Sequence, residues 1–143
     1  MKRLQNIKLW FTSTNVTDEG AAAISAALQN LKQLQKVALA FGGHPMRILV
    51  GDDGAVAIVN ALQKLKQLQE VSLHFSHTRV TDQGAVAVGD ALQNLKRLQN
   101  IKLWFTSTNV TDEGAAAISA ALQNLKQLQK VALQLWFPRT NVT

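Results

Sequence analysis

The chain has 143 residues and a formal net charge of +6, and 47% of its residues are hydrophobic while 17% are charged. It contains no cysteine, which excludes a disulfide framework, a thiolate metal site and a thiol nucleophile. No apolar run is long enough to span a membrane, and no secretory signal is predicted near the N-terminus. These features exclude a charged disordered tail and favour a cytoplasmic protein.

Internal repetition dominates the sequence. The 38 residues from Lys2 to Leu39 recur unchanged from Lys96 to Leu133. A shorter period lies within this one, because an LQ-x-[IV]-x-L segment recurs every 30 or 34 residues. We therefore predict a single domain over residues 1–143, with repeats at about 4–33, 34–67, 68–97 and 98–127 and a partial repeat at 128–143. The second copy carries four extra residues, and we expect its loop, Gly42 to Val50, to project from one edge.

The first half of each copy alternates between apolar and polar residues. In LQNIKLWF, Ile7, Leu9 and Phe11 point one way, whereas Lys8 and Trp10 point the other. Such alternation predicts a strand with one buried face. The later segments LQKVALAF, LQEVSLHF and LQKVALQLWF keep the pattern, which predicts about five strands.

The second half of each copy has a helical period. In DEGAAAISAALQNLKQ, the apolar residues Ala21, Ile24, Leu28 and Leu31 recur at spacings of three and four. An aspartate precedes each apolar run, and we predict that it caps the first turn of its own helix. Repeats of this kind bury their apolar faces against one another, which predicts a right-handed β-α solenoid with about five parallel strands and four helices. The four aspartates are Asp18, Asp52, Asp82 and Asp112.

The segments L-x-x-[IV]-x-L, V-T-D-x-G-A and A-L-Q-x-L-K together resemble the leucine-rich-repeat family. The repeat length and the D-x-G-A helix start resemble its ribonuclease-inhibitor-like class. The resemblance implies an arc that recognises proteins, with its strands on the concave side. The family's asparagine is displaced here to Asn15 and Asn109 and replaced by Arg79 in the third copy. The asparagine ladder of the family is therefore either absent or rebuilt by threonine.

The outward-facing strand positions form the candidate binding site. One column contains Trp10, Ala40, His74 and Trp104, with Trp136 displaced in the last copy. Exposed tryptophan is enriched in the hot spots of protein interfaces. The alternative is that each indole only shields a neighbouring lysine stem or alanine. The predicted partner-binding residues are Lys8, Trp10, His74, Lys102, Trp104 and Trp136.

Catalysis, cofactors and metal ions are not predicted. Carboxylate pairs such as Asp52 and Asp53 recur in several copies, whereas a catalytic site is usually unique, and no phosphate-binding glycine motif occurs. The histidines lack a regular spacing for metal ligation. The Asn-Val-Thr sequons are interpreted as parts of turns rather than as glycosylation sites. The histidines are His44, His74 and His77, and the sequons begin at Asn15, Asn109 and Asn141.

Charges separate along each repeat. Seven of the nine acidic residues lie at helix starts, whereas a group of lysines and an arginine follows the helix ends. We expect an acidic and a basic edge on opposite sides of the solenoid. Compensation of the helix dipoles explains this pattern, and docking of an acidic partner is the functional alternative. The basic residues are Lys32, Lys64, Lys66, Lys96, Arg97 and Lys126.

The leading hypothesis is a non-catalytic protein-binding or scaffolding module that uses its concave strand face. The alternative is a structural or engineered repeat array, or a fragment of one, that self-assembles through uncapped ends. The unchanged 38-residue duplication motivates this alternative, and we expect a homo-oligomer formed through the terminal repeats. Weak nucleic-acid binding through the strand lysines and tryptophans is the third hypothesis, and enzyme activity comes last. The residues of the nucleic-acid hypothesis include Lys8, Lys36, Lys102 and Lys130.

Overall fold

A computed structural model describes residues 4–11, 16–41, 50–106 and 108–134. Strands and helices alternate along the chain, and the five strands form one parallel sheet whose order follows the sequence. The predicted solenoid of five parallel strands and four helices is confirmed. The elements are β1 (Asn6–Phe11), α1 (Asp18–Leu28), β2 (Lys36–Phe41), α2 (Asp52–Leu62), β3 (Glu70–His74), α3 (Asp82–Leu92), β4 (Asn100–Trp104), α4 (Asp112–Leu122) and β5 (Lys130–Gln134).

Each strand pairs in register with the equivalent positions of the next strand. Ile7 lies opposite Val37, Val37 opposite Val71, and the same row continues to Ile101 and Val131. A given position of the repeat therefore recurs along the sheet at the strand spacing of about 4.8 Å. Columns read from the sequence are thus columns on the molecular surface.

The core lies between the sheet and the row of helices. Leucines and valines of the strands pack with buried helix residues such as Ile58, Val88 and Ile118. Beside them runs a stack of phenylalanine rings, one from each of the first four repeats, with successive ring centroids 5.4, 5.7 and 5.9 Å apart. No single repeat encloses this core, because each ring packs against the ring of the next repeat. The rings are those of Phe11, Phe41, Phe75 and Phe105.

The helices begin at the four predicted aspartates, but the prediction that each aspartate caps its own helix is wrong. The cap is the residue before it. The hydroxyls of Thr17, Thr81 and Thr111 accept hydrogen bonds from backbone N–H groups in the first turns of α1, α3 and α4. Gly51 holds the cap position of α2 without a side-chain hydrogen bond. In these three helices, threonine thus accepts the hydrogen bond from the first turn that the aspartate was expected to accept.

Asp18, Asp52 and Asp82 each bind the start of the following helix instead. Oδ1 of Asp52 accepts hydrogen bonds from the backbone N–H groups of Thr81 and Gly84, at 2.8 and 3.1 Å, and Oδ2 accepts one from the Thr81 hydroxyl. Asp82 makes the same three bonds to Thr111 and Gly114. Asp18 makes two, to Gly51 and Gly54. These bonds join successive repeats. Each of the three carboxylates also lies at the positive end of the next helix dipole, which favours its negative charge.

Threonine also makes hydrogen bonds to backbone groups in the loops that follow β3 and β4. The Thr78 hydroxyl donates to the carbonyl of Phe75 and accepts from the N–H of Val80. The Thr108 hydroxyl makes the equivalent pair of bonds in the next copy. These threonine bonds each lie within one loop, whereas the backbone N–H of Asn109 donates to the carbonyl of Val80 in the preceding repeat. Residues 42–49 of the predicted projecting loop lie outside the described residues.

Candidate protein-binding surface

The side of the sheet that faces away from the helices carries three columns of side chains, which we call the strand face. In β1 its residues alternate with the partly buried Ile7, Leu9 and Phe11, so the backbone alternation alone separates the two sides. The first column contains Asn6, Lys36, Glu70, Asn100 and Lys130; the second Lys8, Ala38, Ser72, Lys102 and Ala132; the third Trp10, Ala40, His74, Trp104 and Gln134.

Five of the six predicted partner-binding residues lie on the strand face. Trp10 is 58% exposed, and Lys8 and Lys102 are also exposed. His74 and Trp104 are half-buried. The sixth residue, Trp136, lies outside the described residues. The structure therefore places these five side chains on one surface, and their role in binding stays a prediction.

Two lysine-tryptophan pairs stand apart on this face. Lys8 and Trp10 belong to β1, and Lys102 and Trp104 belong to β4. Three strand spacings separate the pairs, a distance of about 14 Å. The intervening positions of β2 are alanines, and the second-column residue of β3 is Ser72. Bulky side chains therefore lie on either side of a region of small ones, so the strand face is not flat.

The imidazole of His74 stacks on the indole of Trp104. Their ring centroids lie 3.9 Å apart, and the ring planes meet at 21°. Burial lowers the pKa of His74, and the positive charge of Lys102 lowers it further. Both effects favour the neutral form of the imidazole. Together the two rings form an aromatic surface, and Lys102 places a positive charge beside it.

Glu70 organises the first column, and sequence reasoning missed it. Its carboxylate lies 3.7 Å from Nζ of Lys36 and accepts a 2.9 Å hydrogen bond from Nδ2 of Asn100. Aligning the copies in register would have placed these three residues side by side. Glu70 is the sole carboxylate of the three columns, and Lys36 balances it. Lys8, Lys102 and Lys130 thus leave the strand face positively charged.

An open cleft of about 370 Å³ lies at the helix-start edge, but its Asp18 and Asp52 carboxylates already hold the neighbouring helices. No group of three or more histidine, aspartate or glutamate side chains in the described ranges is arranged to hold a metal ion. Among the described helices, none has the length and apolar character needed to cross a membrane.

Comparison with known proteins agrees with this architecture. The family model described as "Leucine Rich repeat" matches residues 71–89, which run from β3 into α3. One similar solved chain, described as "Leiomodin-1 Actin-Binding Site 2 (ABS2)", superposes with a TM-score of 0.69 and 18% identity, over 91% of this chain and 70% of that one. No curated protein matches the sequence. Residues 71–89 thus match a leucine-rich repeat, and the chain as described has the fold of a leucine-rich-repeat solenoid.

Proposed function

We propose that this chain is a non-catalytic module that binds a protein partner through the strand face. The observation that carries the proposal is Trp10, whose indole is more than half exposed beside Lys8 on a hydrogen-bonded sheet. A buried tryptophan covers about 150–250 Å², so covering the exposed part of this one would contribute roughly 2–3 kcal/mol to binding. An anchor of that size on a rigid element is typical of interface hot spots.

Local shielding is the alternative interpretation, and of the two tryptophans in the described ranges it fits only Trp104. His74 covers one face of the Trp104 ring. Trp10, by contrast, has Ala40 as its neighbour in the column, and an alanine methyl group cannot cover an indole. Shielding thus accounts for the half-buried Trp104 and leaves Trp10 unexplained. The leiomodin chain's description names an actin-binding site, but at 18% identity the likeness extends to the fold alone.

The test is capture of partners from a cell extract by the wild-type chain and by a Trp10→Ala, Trp104→Ala variant. The control is Val86→Ala, which removes an exposed apolar side chain from α3 on the opposite side of the molecule. A captured protein is then purified and titrated by calorimetry. We expect the strand-face variant to bind about 30-fold more weakly, equivalent to about 2 kcal/mol, and the control to bind normally. Equal affinity of both variants would contradict the proposal.

Self-association is a second candidate function, because packing surfaces are exposed at β1 and β5. Leu4 is 52% exposed and Val131 50% exposed, whereas Leu98 and Ile101, at the equivalent positions of β4's repeat, are fully buried. A second copy of the chain would cover such surfaces, as would the array that the duplicated sequence suggests. Light scattering tests this: we expect the mass to rise above 15.6 kDa with concentration, and Leu4→Lys to suppress the rise. A constant mass of 15.6 kDa contradicts it.

We further propose the ribonuclease-inhibitor-like class and a cytoplasmic location. The class is supported by the helix of 11 residues that each of the four described repeats carries between its strands. The location is supported by the absence of cysteine, because a chain without disulfide bonds does not need an oxidising compartment to fold. Imaging of a tagged chain tests the location, and accumulation in a secretory compartment would contradict it.

A further inference from the structure

Four lysines occupy the same position in successive repeats, between the end of a helix and the start of the next strand. All four are exposed, and so are two further basic residues beside them. We call these six residues the basic edge. The row consists of Lys32, Lys66, Lys96 and Lys126, flanked by Lys64 and Arg97.

The row is regular because the backbone nearby is hydrogen-bonded from repeat to repeat. The N–H of Gln69 donates to the carbonyl of Gln35 at 2.8 Å, and the N–H of Gln99 donates to Gln69 at the same distance. These residues lie three positions after the lysines, so neighbouring lysines are separated by about one strand spacing, roughly 5 Å. The four lysines therefore form a line of positive charge about 15 Å long.

The charges of this line are not balanced within the described part of the molecule. Seven carboxylates lie at the helix starts, on the opposite edge. Glu70 pairs with Lys36, and this is the ion pair found in the described ranges. Asp90, near the end of α3, is the remaining carboxylate. Six cations thus share an edge with one acidic side chain, which costs electrostatic repulsion that an anionic partner would relieve.

Compensation of the helix dipoles does not account for the row. The helices end at Leu28, Leu62, Leu92 and Leu122, and none has a basic residue in its last turn. The row lies four residues farther along, whereas the influence of the dipole falls off within the last turn. Among the four, Lys96 donates a hydrogen bond to the carbonyl of Gln93 at its own helix end, as a capping lysine does. Lys32, Lys66 and Lys126 have no such bond among the described contacts.

We propose that the basic edge binds an extended acidic polypeptide segment, as a second docking surface that does not depend on the strand face. In an extended chain, alternate side chains are about 6.8 Å apart on one side, within reach of flexible lysine stems spaced roughly 5 Å apart. About five extended residues span the line. Single-stranded nucleic acid is the less suitable occupant, because its binding surfaces carry stacking aromatic side chains and the described part of this edge has none.

The test is a titration of the chain with a fluorescein-labelled oligoglutamate peptide, followed by fluorescence anisotropy at low and at physiological ionic strength. Lys66→Glu, in the middle of the row, is compared with Arg79→Glu, an equally large charge change at an exposed residue of the opposite edge. Circular dichroism checks that both variants fold. Where a reversed charge prevents folding, the neutral pair Lys66→Gln and Arg79→Gln replaces it.

We expect Lys66→Glu to weaken peptide binding by about tenfold, and Arg79→Glu to change it by less than about threefold. Wild-type binding should weaken as salt is raised, because the site is exposed and screened. Equal weakening by both variants overturns the proposal, since it would reflect net charge alone. Failure of the wild-type chain to bind the peptide also overturns it. So does tighter binding to oligothymidylate or to phosphatidylserine vesicles than to oligoglutamate, because either would identify another class of partner.

Discussion

Residues 2–39 and 96–133 have the same sequence but different surroundings. Leu4 is 52% exposed in the first stretch, whereas its counterpart Leu98 is fully buried in the second. The relation reverses near the other end of the stretch, where Val37 is buried and its counterpart Val131 is 50% exposed. Identical side chains thus belong to the core or to the surface according to which repeat packs beside them.

The comparison shows that burial in this fold is a property of the junction between two repeats. Ile118 of α4 is buried under α3, while its counterpart Ile24 is only partly covered. Likewise Trp104 stacks on His74 of β3, and Trp10 has the small Ala40 beside it. Stability of such an array is approximately a sum of repeat and nearest-neighbour terms. Matched substitutions in the two stretches therefore separate the junction term from the intrinsic preference of a residue.

The largest difference is expected for the leucines that open the two stretches. Leu98→Ala removes a fully buried side chain from the core and should lower the free energy of unfolding by about 2–5 kcal/mol. Leu4→Ala removes one that is half in water and should cost less than about 1 kcal/mol. Urea denaturation followed by circular dichroism measures both. Similar losses for the two variants would show that burial does not depend on the neighbouring repeat as the structure indicates.

A second pair concerns the glycines of the helix starts. A methyl group at Gly114 would lie 2.5 Å from Oδ1 of Asp82, so Gly114→Ala must displace the carboxylate that joins repeats three and four. We expect a loss of about 1–3 kcal/mol from the broken hydrogen bonds. At Gly20 the same methyl group meets only Val16, at 3.2 Å. Because alanine favours helix, Gly20→Ala should stay within about 0.5 kcal/mol of wild type.

The outcome that would contradict this pair is equal destabilisation by Gly114→Ala and Gly20→Ala in the same denaturation experiment. It would mean that the glycine serves its own helix rather than the carboxylate of the preceding repeat. Gly54→Ala provides an independent check, because a methyl group there would lie 2.6 Å from Oδ1 of Asp18. We expect it to behave like Gly114→Ala.

Strands, helices and surface columns could be predicted because they depend on local period and on repetition. The alternation of Ile7, Lys8, Leu9 and Trp10 determines which side each residue faces, and in-register pairing then builds the columns. The strand face therefore contains five of the predicted residues, all except Trp136, which is outside the described residues. What could not be predicted depends on contacts between repeats, such as the stacking of His74 on Trp104, which requires particular side-chain rotamers.

The role of the helix-start aspartates likewise depends on a contact between repeats and could not be predicted. Thr17 and Asp18 are both good capping residues, and local preference does not decide between them. The choice depends on Gly54 in the next repeat, whose missing side chain admits the Asp18 carboxylate. The signal available in the sequence was the glycine two positions after each of the four helix-start aspartates, a spacing that the helix itself does not require.

The smallest expected difference separates Asp82 from Asp112, which occupy the same position in successive repeats. Desolvation alone would raise the pKa of Asp82, but hydrogen bonds from the side chain and backbone of Thr111 and from Gly114 outweigh it and lower the pKa. The stabilisation by the folded carboxylate is therefore complete above the unfolded pKa of about 3.9 and is lost as the pH falls through the lower folded value.

Asp82→Asn should accordingly destabilise the chain by about 0.5–1 kcal/mol at pH 7, since one hydroxyl donor loses its acceptor and the charge at the dipole disappears. The gap between this variant and wild type should narrow as the pH is lowered below about 4, because the wild-type carboxyl then becomes neutral as well. Asp112 is exposed and accepts no hydrogen bond among the described residues, so Asp112→Asn should leave stability nearly unchanged at either pH. Denaturation curves at several pH values measure both variants. A constant gap for Asp82→Asn across that range would mean that its charge does not contribute to the junction.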